Sequence, residues 1–323
     1  MDTERDWSPE IGVLVGQLTD RYVFPDVAER ICQVLTRRLA EGAYRGVSDD
    51  EGFARVVTED LQSVNGDKHL RLLHSVAEIP EQDAPELHDM AAQRREAALA
   101  GHGFARVERL PGNVALLDVR RLFSPSVSGP AAVAAMNLVA DADVLLVDLR
   151  RNSGGDPDMV ALLCSYLFDE ETHLNDLYFR PSDSTKQFWT LPYVPGARFG
   201  GDKPVYVVTS SSTFSGGEEL SYNLRELGRA TLVGEVTRGG AHPGGRYRVA
   251  AHLKSAVPSG RAINPVSGTN WEAVGVRPHV EVPAERALDT AYGLALRDVL
   301  GLGAEGERRV VAEEARLALK ELG

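Results

Sequence analysis

One local pattern constrains this sequence more than any other: an apolar strand that ends in a serine-bearing glycine turn and re-enters as a helix. Val205-Tyr206-Val207-Val208 is an apolar run of strand length, and Thr213-Phe214-Ser215-Gly216-Gly217-Glu218 follows it, ahead of a segment that reads as helix. A turn of this kind holds a hydroxyl out at the end of a sheet and leaves backbone N–H groups able to face a developing oxyanion. Ser215 is therefore a candidate nucleophile. Ser-x-x-Glu is also the signature of a capping box, in which Ser215 and Glu218 do no more than start a helix. The rest of the chain has to separate the two readings.

The same alternation recurs upstream. Val114-Ala115-Leu116-Leu117-Asp118-Val119 reads as a strand, 131–140 as a short helix and 144–149 as a second strand. A glycine loop, Asn152-Ser153-Gly154-Gly155, then opens a helix over 156–168. Strand 205–208, helix 215–227 and strand 230–234 repeat the unit, the mark of an α/β domain with an at least partly parallel sheet. Residues 11–63 are different. Apolar residues there recur at three and four positions (Val13, Leu14, Leu18; Val27, Ile31, Val34, Leu35, Leu39), which predicts a small helical bundle that ends at the turn Asn65-Gly66-Asp67. The expected organisation is an N-terminal helical domain over 1–75, a polar connecting segment over 76–105 and an α/β domain over 106–323. Within the last, 177–199 carries aromatics and prolines and suits a hairpin or a loop over a cleft. Short strands are expected at 247–250 and 255–258, and helices at 284–300 and 308–322.

With 323 residues, 43% of them hydrophobic, the chain can bury a sizeable core. Its formal charge of -12, from 35 Lys and Arg against 47 Asp and Glu, argues against nucleic acid and anionic membranes as partners. The start, Met1-Asp2-Thr3-Glu4-Arg5-Asp6, lacks the basic and apolar regions of a secretory signal, and no apolar run reaches membrane-span length, so a cytoplasmic location is expected. Cys32 and Cys164 have no metal spacing and sit in apolar, helix-like contexts that suit buried thiols. The eight histidines are scattered without a metal-binding helix motif, so neither a metal nor another cofactor is expected. The oligomeric state stays open.

In open α/β sheets, ligands sit beyond the carboxyl ends of the strands. Two glycine loops leave apolar strands here, Asp148–Gly155 and the one that holds Ser215. If their strands are neighbours, the Gly154-Gly155 backbone supplies one oxyanion donor and the Gly216 N–H a second, each worth about 3 kcal/mol of barrier lowering.

These segments resemble a known family. Asp148-Leu149-Arg150-Arg151-Asn152-Ser153-Gly154-Gly155, then Thr209–Leu220 with its run of hydroxyl residues, then Gly234-Glu235-Val236-Thr237, are similar to the tail-specific protease superfamily of serine peptidases. That superfamily takes in the carboxy-terminal processing proteases, the tricorn core and the interphotoreceptor retinoid-binding protein repeats. Gly239-Gly240-Ala241-His242-Pro243, Gly260–Pro265 and Asn270–Pro278 bring the chain nearest to the last group. The resemblance covers roughly 65–282. It implies a mixed sheet with a crotonase-like ββα core, and no stretch of the chain resembles a PDZ module. It also implies roles. Ser215, three residues before Glu218, is the nucleophile. The lysine base of the processing proteases has no counterpart in Thr237-Arg238-Gly239-Gly240-Ala241-His242, so the tricorn-like arrangement applies: His69 of Gly66-Asp67-Lys68-His69 as base and Glu272 as the carboxylate that orients it. His242 ranks second for the base, and His74 is a further competitor. Lys68 stands where tricorn has a serine, and His279 replaces the acidic residue usual after the Gly-Val-x-Pro proline.

The expectation is a serine peptidase that acts on peptides. Two other readings compete. The interphotoreceptor repeats bind retinoids and fatty acids, so the chain could be a non-catalytic binder of an apolar small molecule. The same nucleophile and oxyanion donors would also serve an esterase with one small-molecule substrate.

Overall fold

A computed structural model describes residues 5–81 and 86–323 of the chain. Three helices, α1 (Ser8–Arg21), α2 (Pro25–Ala40) and α3 (Asp50–Gln62), lead into strand β1 (Arg71–His74). Helix α4 (Glu86–Leu99) precedes β2 (Phe104–Leu110), β3 (Val114–Val119), α5 (Pro125–Val139), β4 (Val144–Asp148) and α6 (Pro157–Ser165). Then come β5 (His173–Phe179), β6 (Ser184–Trp189), β7 (Val205–Thr209), α7 (Gly216–Glu226) and β8 (Thr231–Gly234). Strands β9 (Gly244–Ala250), β10 (Leu253–Pro258), β11 (Gly260–Ile263) and β12 (Val280–Glu281) lie before α8 (Ala284–Gly301) and α9 (Arg308–Glu321).

The chain divides into two compact units that are discontinuous in sequence. One holds the chain up to Leu87 with Asp176–Lys186 and Gly240–Ile263; the other holds His88–Asn175, Gln187–Gly239 and Asn264–Gly323.

In the N-terminal unit each helix buries one stripe: Ile11, Leu14 and Leu18 on α1, Ala28, Ile31 and Leu35 on α2, Phe53, Val57 and Leu61 on α3. Their starts follow local chemistry. Pro25 opens α2, where its missing N–H costs nothing, and the Asp49 carboxylate accepts the Gly52 N–H at 2.7 Å to cap α3. Trp7 stacks on Phe53 with centroids 3.8 Å apart. The helices share this core with Leu72, Val249, Leu253 and Val257 of an antiparallel sheet in the order β1-β10-β9. The helical segment predicted from periodicity is therefore closed by strands drawn from about 180 residues downstream, with Arg71 opposite Ala256 and His74 opposite Leu253. Strand β11 pairs antiparallel with β5, Gly260 opposite Phe179.

The second unit is built on a six-stranded sheet among the described residues, order β12-β8-β7-β4-β3-β2, parallel except for the β2-β3 pair. Every residue of β3, β4 and β7 is buried, which is why these strands read as continuous apolar runs. Val114, Leu116, Val144, Leu146, Tyr206, Val208 and Val233 meet Ala287, Ala291, Ala295, Leu296 and Val299 of α8 and Ala315 of α9 in one core. Small alanines on α8 let that helix lie close to the sheet. Strands β4 and β7 are direct neighbours, Asp148 opposite Val208, so the two glycine loops leave adjacent strand ends.

Cys32 and Cys164 are both free, the second buried, and burial pushes the Cys164 thiol well up. Among the described residues no helix is long and apolar enough to cross a membrane.

Candidate active site

In the sheet unit, the loop from β7 to α7 is fixed by its own hydroxyls. Thr213 Oγ1 donates to the Leu149 carbonyl (2.8 Å), Ser210 Oγ to the Arg150 carbonyl (2.6 Å) and Thr209 Oγ1 to the Glu235 carbonyl (2.8 Å). The run of serines and threonines thus ties three neighbouring loops together. At its end Ser215 adopts φ 55° and ψ -122°, a backbone conformation that a non-glycine residue occupies only under constraint.

Glu218 supplies part of that constraint. Its carboxylate is fully buried and accepts from the Ser215 N–H (2.8 Å), the Thr237 hydroxyl (2.6 Å) and the Gly239 N–H (2.5 Å). Thr237 Oγ1 in turn accepts the Val276 N–H at 2.7 Å. The glutamate does cap α7, as Ser-x-x-Glu suggests, but one carboxylate also anchors two further segments. Glu235 accepts the Ser211 and Ala284 N–H groups, which hold its carboxyl below the usual range.

The loop after β4 closes against this turn. Asn152, fully buried, donates through Nδ2 to the Val119 carbonyl (2.9 Å), accepts the Gly154 N–H on Oδ1 (2.8 Å) and accepts the Phe214 N–H on its carbonyl (3.0 Å). Gly154 has φ 92°, and a Cβ placed on it would lie 2.7 Å from the Ser215 Cβ and 3.0 Å from the Gly216 nitrogen. A Cβ on Gly216 would lie 3.0 Å from the Gly155 nitrogen. The Leu122–Gly155 bridge is made by the Gly154 carbonyl and the Asp156 N–H, not by the Gly155 amide. Among the described residues, the Gly155 and Gly216 amides donate to no protein group. Ser215, Gly154, Gly155 and Gly216 are thus brought together. Gly154 contributes space and not a donor, because its own N–H is taken by Asn152.

Glu272 lies in a turn of the same unit. Its N–H donates to Asn270 Oδ1 (2.9 Å), the Gly275 N–H returns to the Trp271 carbonyl (2.9 Å), and Ala273 has φ 63°. The buried Trp271 ring packs against Tyr222 of α7, the helix that Ser215 opens, at 5.2 Å between centroids. Glu272 itself is half-buried. His279 serves the fold. Its Nδ1 accepts the Leu232 N–H at 2.9 Å, and burial followed by the charge of Arg225 keeps its imidazole below the usual range.

Lys68, His69, His74 and His242 belong to the N-terminal unit. Lys68 and His69 are half-buried on the turn before β1, and His74 is exposed at the end of that strand. His242 is 5% exposed, and its Nδ1 lies 2.9 Å from the carboxylate of the fully buried Asp67, which also accepts the His69 N–H at 3.0 Å.

Two family models match this chain: Peptidase family S41 over residues 127–282, and the N-terminal domain of Peptidase_S41 in eukaryotic IRBP over residues 11–100. The chain belongs to peptidase family S41. It is a serine-type peptidase. Among solved structures its fold is similar to a candidate peptidase from Parabacteroides merdae, at 16% identity and a TM-score of 0.62, over 93% of this chain and 98% of that one. It is also similar to mature CPAF (11% identity, TM-score 0.59, 95% of this chain, 97% of the other) and to the photosystem II D1 C-terminal processing protease (14%, 0.52, 86% and 94%).

Two residues of this S41 peptidase do more within their own units than their sequence context suggests. Asn152 reads as a loop residue before a glycine pair, and Asp67 as part of a turn signal. The signal that could have marked both is chemical: a short polar side chain followed two residues later by a backbone N–H it can accept.

Proposed function

We propose that this S41 peptidase cleaves peptide bonds with Ser215 as nucleophile, His69 as its general base and Glu272 as the carboxylate that orients the imidazole. The Ser215 hydroxyl attacks the scissile carbonyl carbon while its proton passes to His69. The carbonyl oxygen becomes an oxyanion that accepts from the Gly155 and Gly216 N–H groups, each such donor worth about 3 kcal/mol in the transition state. His69 then protonates the leaving amine, and water repeats the sequence on the acyl-enzyme to release Ser215.

The observation that carries this reading is the backbone of Ser215. A capping serine needs no positive φ, yet this one is held at φ 55° beside two amides that find no acceptor among the described residues. Strain at this turn is a cost without return in a binding protein, and beside two donors it serves acyl transfer.

Labelling with a fluorophosphonate probe tests it. The wild type should label on Ser215, Ser215→Ala should not label at all, and His69→Ala and Glu272→Gln should label much more slowly. His242→Ala should retain more labelling than His69→Ala; the reverse order would move the base to His242. A wild type that stays unlabelled would point to the non-catalytic binder of an apolar small molecule. Turnover of small esters without any peptide cleavage would point to the esterase.

A further inference from the structure

Asp67 lies two residues before His69 and is fully buried in the N-terminal unit. Its Oδ2 accepts the Tyr22 hydroxyl at 2.9 Å and faces His242 Nδ1 at 2.9 Å, while its Oδ1 accepts the His69 N–H at 3.0 Å. The Tyr22 oxygen accepts in turn from Asn65 Nδ2 at 2.7 Å. Phe24 closes over the pair, edge-on to the His242 ring at 5.3 Å.

The protonation pattern follows from these contacts. Burial pushes the Asp67 carboxyl up, but the bond and charge of His242 and the Tyr22 hydroxyl outweigh it and hold the group below the ordinary aspartate range. An ionised carboxylate only accepts, so the ring nitrogen that faces it carries hydrogen. His242 is thereby fixed with hydrogen on Nδ1. The other oxygen of the same carboxylate shapes the turn that presents His69.

We propose that Asp67 is a positioning residue of the peptidase, one carboxylate that sets both the turn carrying His69 and the tautomer of His242. The inference rests on Ser215 and His69 acting as described above.

Asp67→Asn is the test, because it keeps the shape and removes the charge. If the amide oxygen stays on the His69 N–H, its NH2 faces His242 Nδ1 and drives the ring hydrogen to Nε2. On the full chain, the rate of fluorophosphonate labelling should fall at least about 100-fold, as expected when an orienting carboxylate is lost. Long-range 1H–15N spectra should show His242 with hydrogen on Nδ1 in the wild type and on Nε2 alone in the variant. Because Asp67 acts partly through His242, adding His242→Ala to Asp67→Asn should cost less than His242→Ala costs alone. Tyr22→Phe should lower the melting temperature and leave the tautomer unchanged.

Labelling of Asp67→Asn within threefold of the wild type, or full additivity with His242→Ala, overturns the role of Asp67 and leaves that of Ser215 intact. A wild type that does not label removes Ser215 first and Asp67 with it. A wild-type His242 with hydrogen only on Nε2 overturns the tautomer assignment even if the Asp67 variant fails to fold.

Discussion

The position that a Cβ on Gly154 would take lies 2.7 Å from the Cβ of Ser215. Real side chains do not approach so closely, so the loop after β4 can rest against the serine turn only while residue 154 is glycine. Gly154→Ala must push the two loops apart and also place an alanine at φ 92°. The expected cost is about 3 kcal/mol in stability, measured by urea denaturation, from backbone strain plus overlap. Labelling of Ser215 should fall at least about 100-fold, because the Gly155 amide moves with the loop. A variant that is destabilised yet labels at the wild-type rate would show that this approach is packing alone.

Asn152 makes a different demand. It is fully buried and joins the Val119 carbonyl, the Gly154 N–H and the Phe214 N–H, the last through its backbone. Asn152→Ala strands one carbonyl and one amide without side-chain partners, for a loss of about 2–4 kcal/mol. Asn152→Asp keeps the acceptor for Gly154 and puts a second acceptor against the Val119 carbonyl, so it should be at least as damaging. The order of urea midpoints, wild type above both variants with Asp no better than Ala, checks the bond assignment.

The sequence made the parallel sheet legible for a physical reason. Strands buried on both faces must be apolar throughout, and 114–119, 144–149 and 205–208 fall on β3, β4 and β7. Ser215 stood out only in company: Ser-x-x-Glu by itself reads as a capping box, and the motifs around it, through their resemblance to a peptidase family, singled the serine out. What escaped is what depends on distant pairing. Strand β2, with Ala105, Arg106 and Arg109 exposed, gives a weak apolar signal, and it forms because β3 offers an edge. Residues 11–63 read as a helical bundle by themselves, since strands that complete their core come from 244–258 and no local period announces that partnership. Asp67 escaped for the same reason: its partners Tyr22 and His242 lie 45 and 175 residues away.

The ionisation of Asp67 predicts a pH dependence with a definite sign. Its folded-state pKa is depressed below the ordinary value of 3.8, so its charge stabilises the fold above that value, and this stabilisation is lost as pH falls through the lower folded pKa. Asp67→Asn has no such group. The stability gap between wild type and variant, from urea midpoints, should shrink steadily as pH falls below the ordinary aspartate value. A gap that widens on acidification would mean that the carboxyl is protonated in the fold and that His242 is held in some other way.

Strain at Ser215 gives a prediction in which stability and activity move in opposite directions. A non-glycine residue at φ 55° and ψ -122° costs about 1–3 kcal/mol relative to a relaxed backbone. Glycine escapes that cost, but it adds freedom to the unfolded chain worth about 0.5–1 kcal/mol. Ser215→Ala keeps the Cβ and the strain; Ser215→Gly drops both. Each variant loses the hydroxyl and with it all labelling, so their difference isolates the backbone term. Ser215→Gly should be more stable than Ser215→Ala by about 1 kcal/mol in urea unfolding. Equal midpoints would mean that the turn is not strained at this residue, and that Ser215 is held out by ordinary helix capping instead of being forced there by the loops around it.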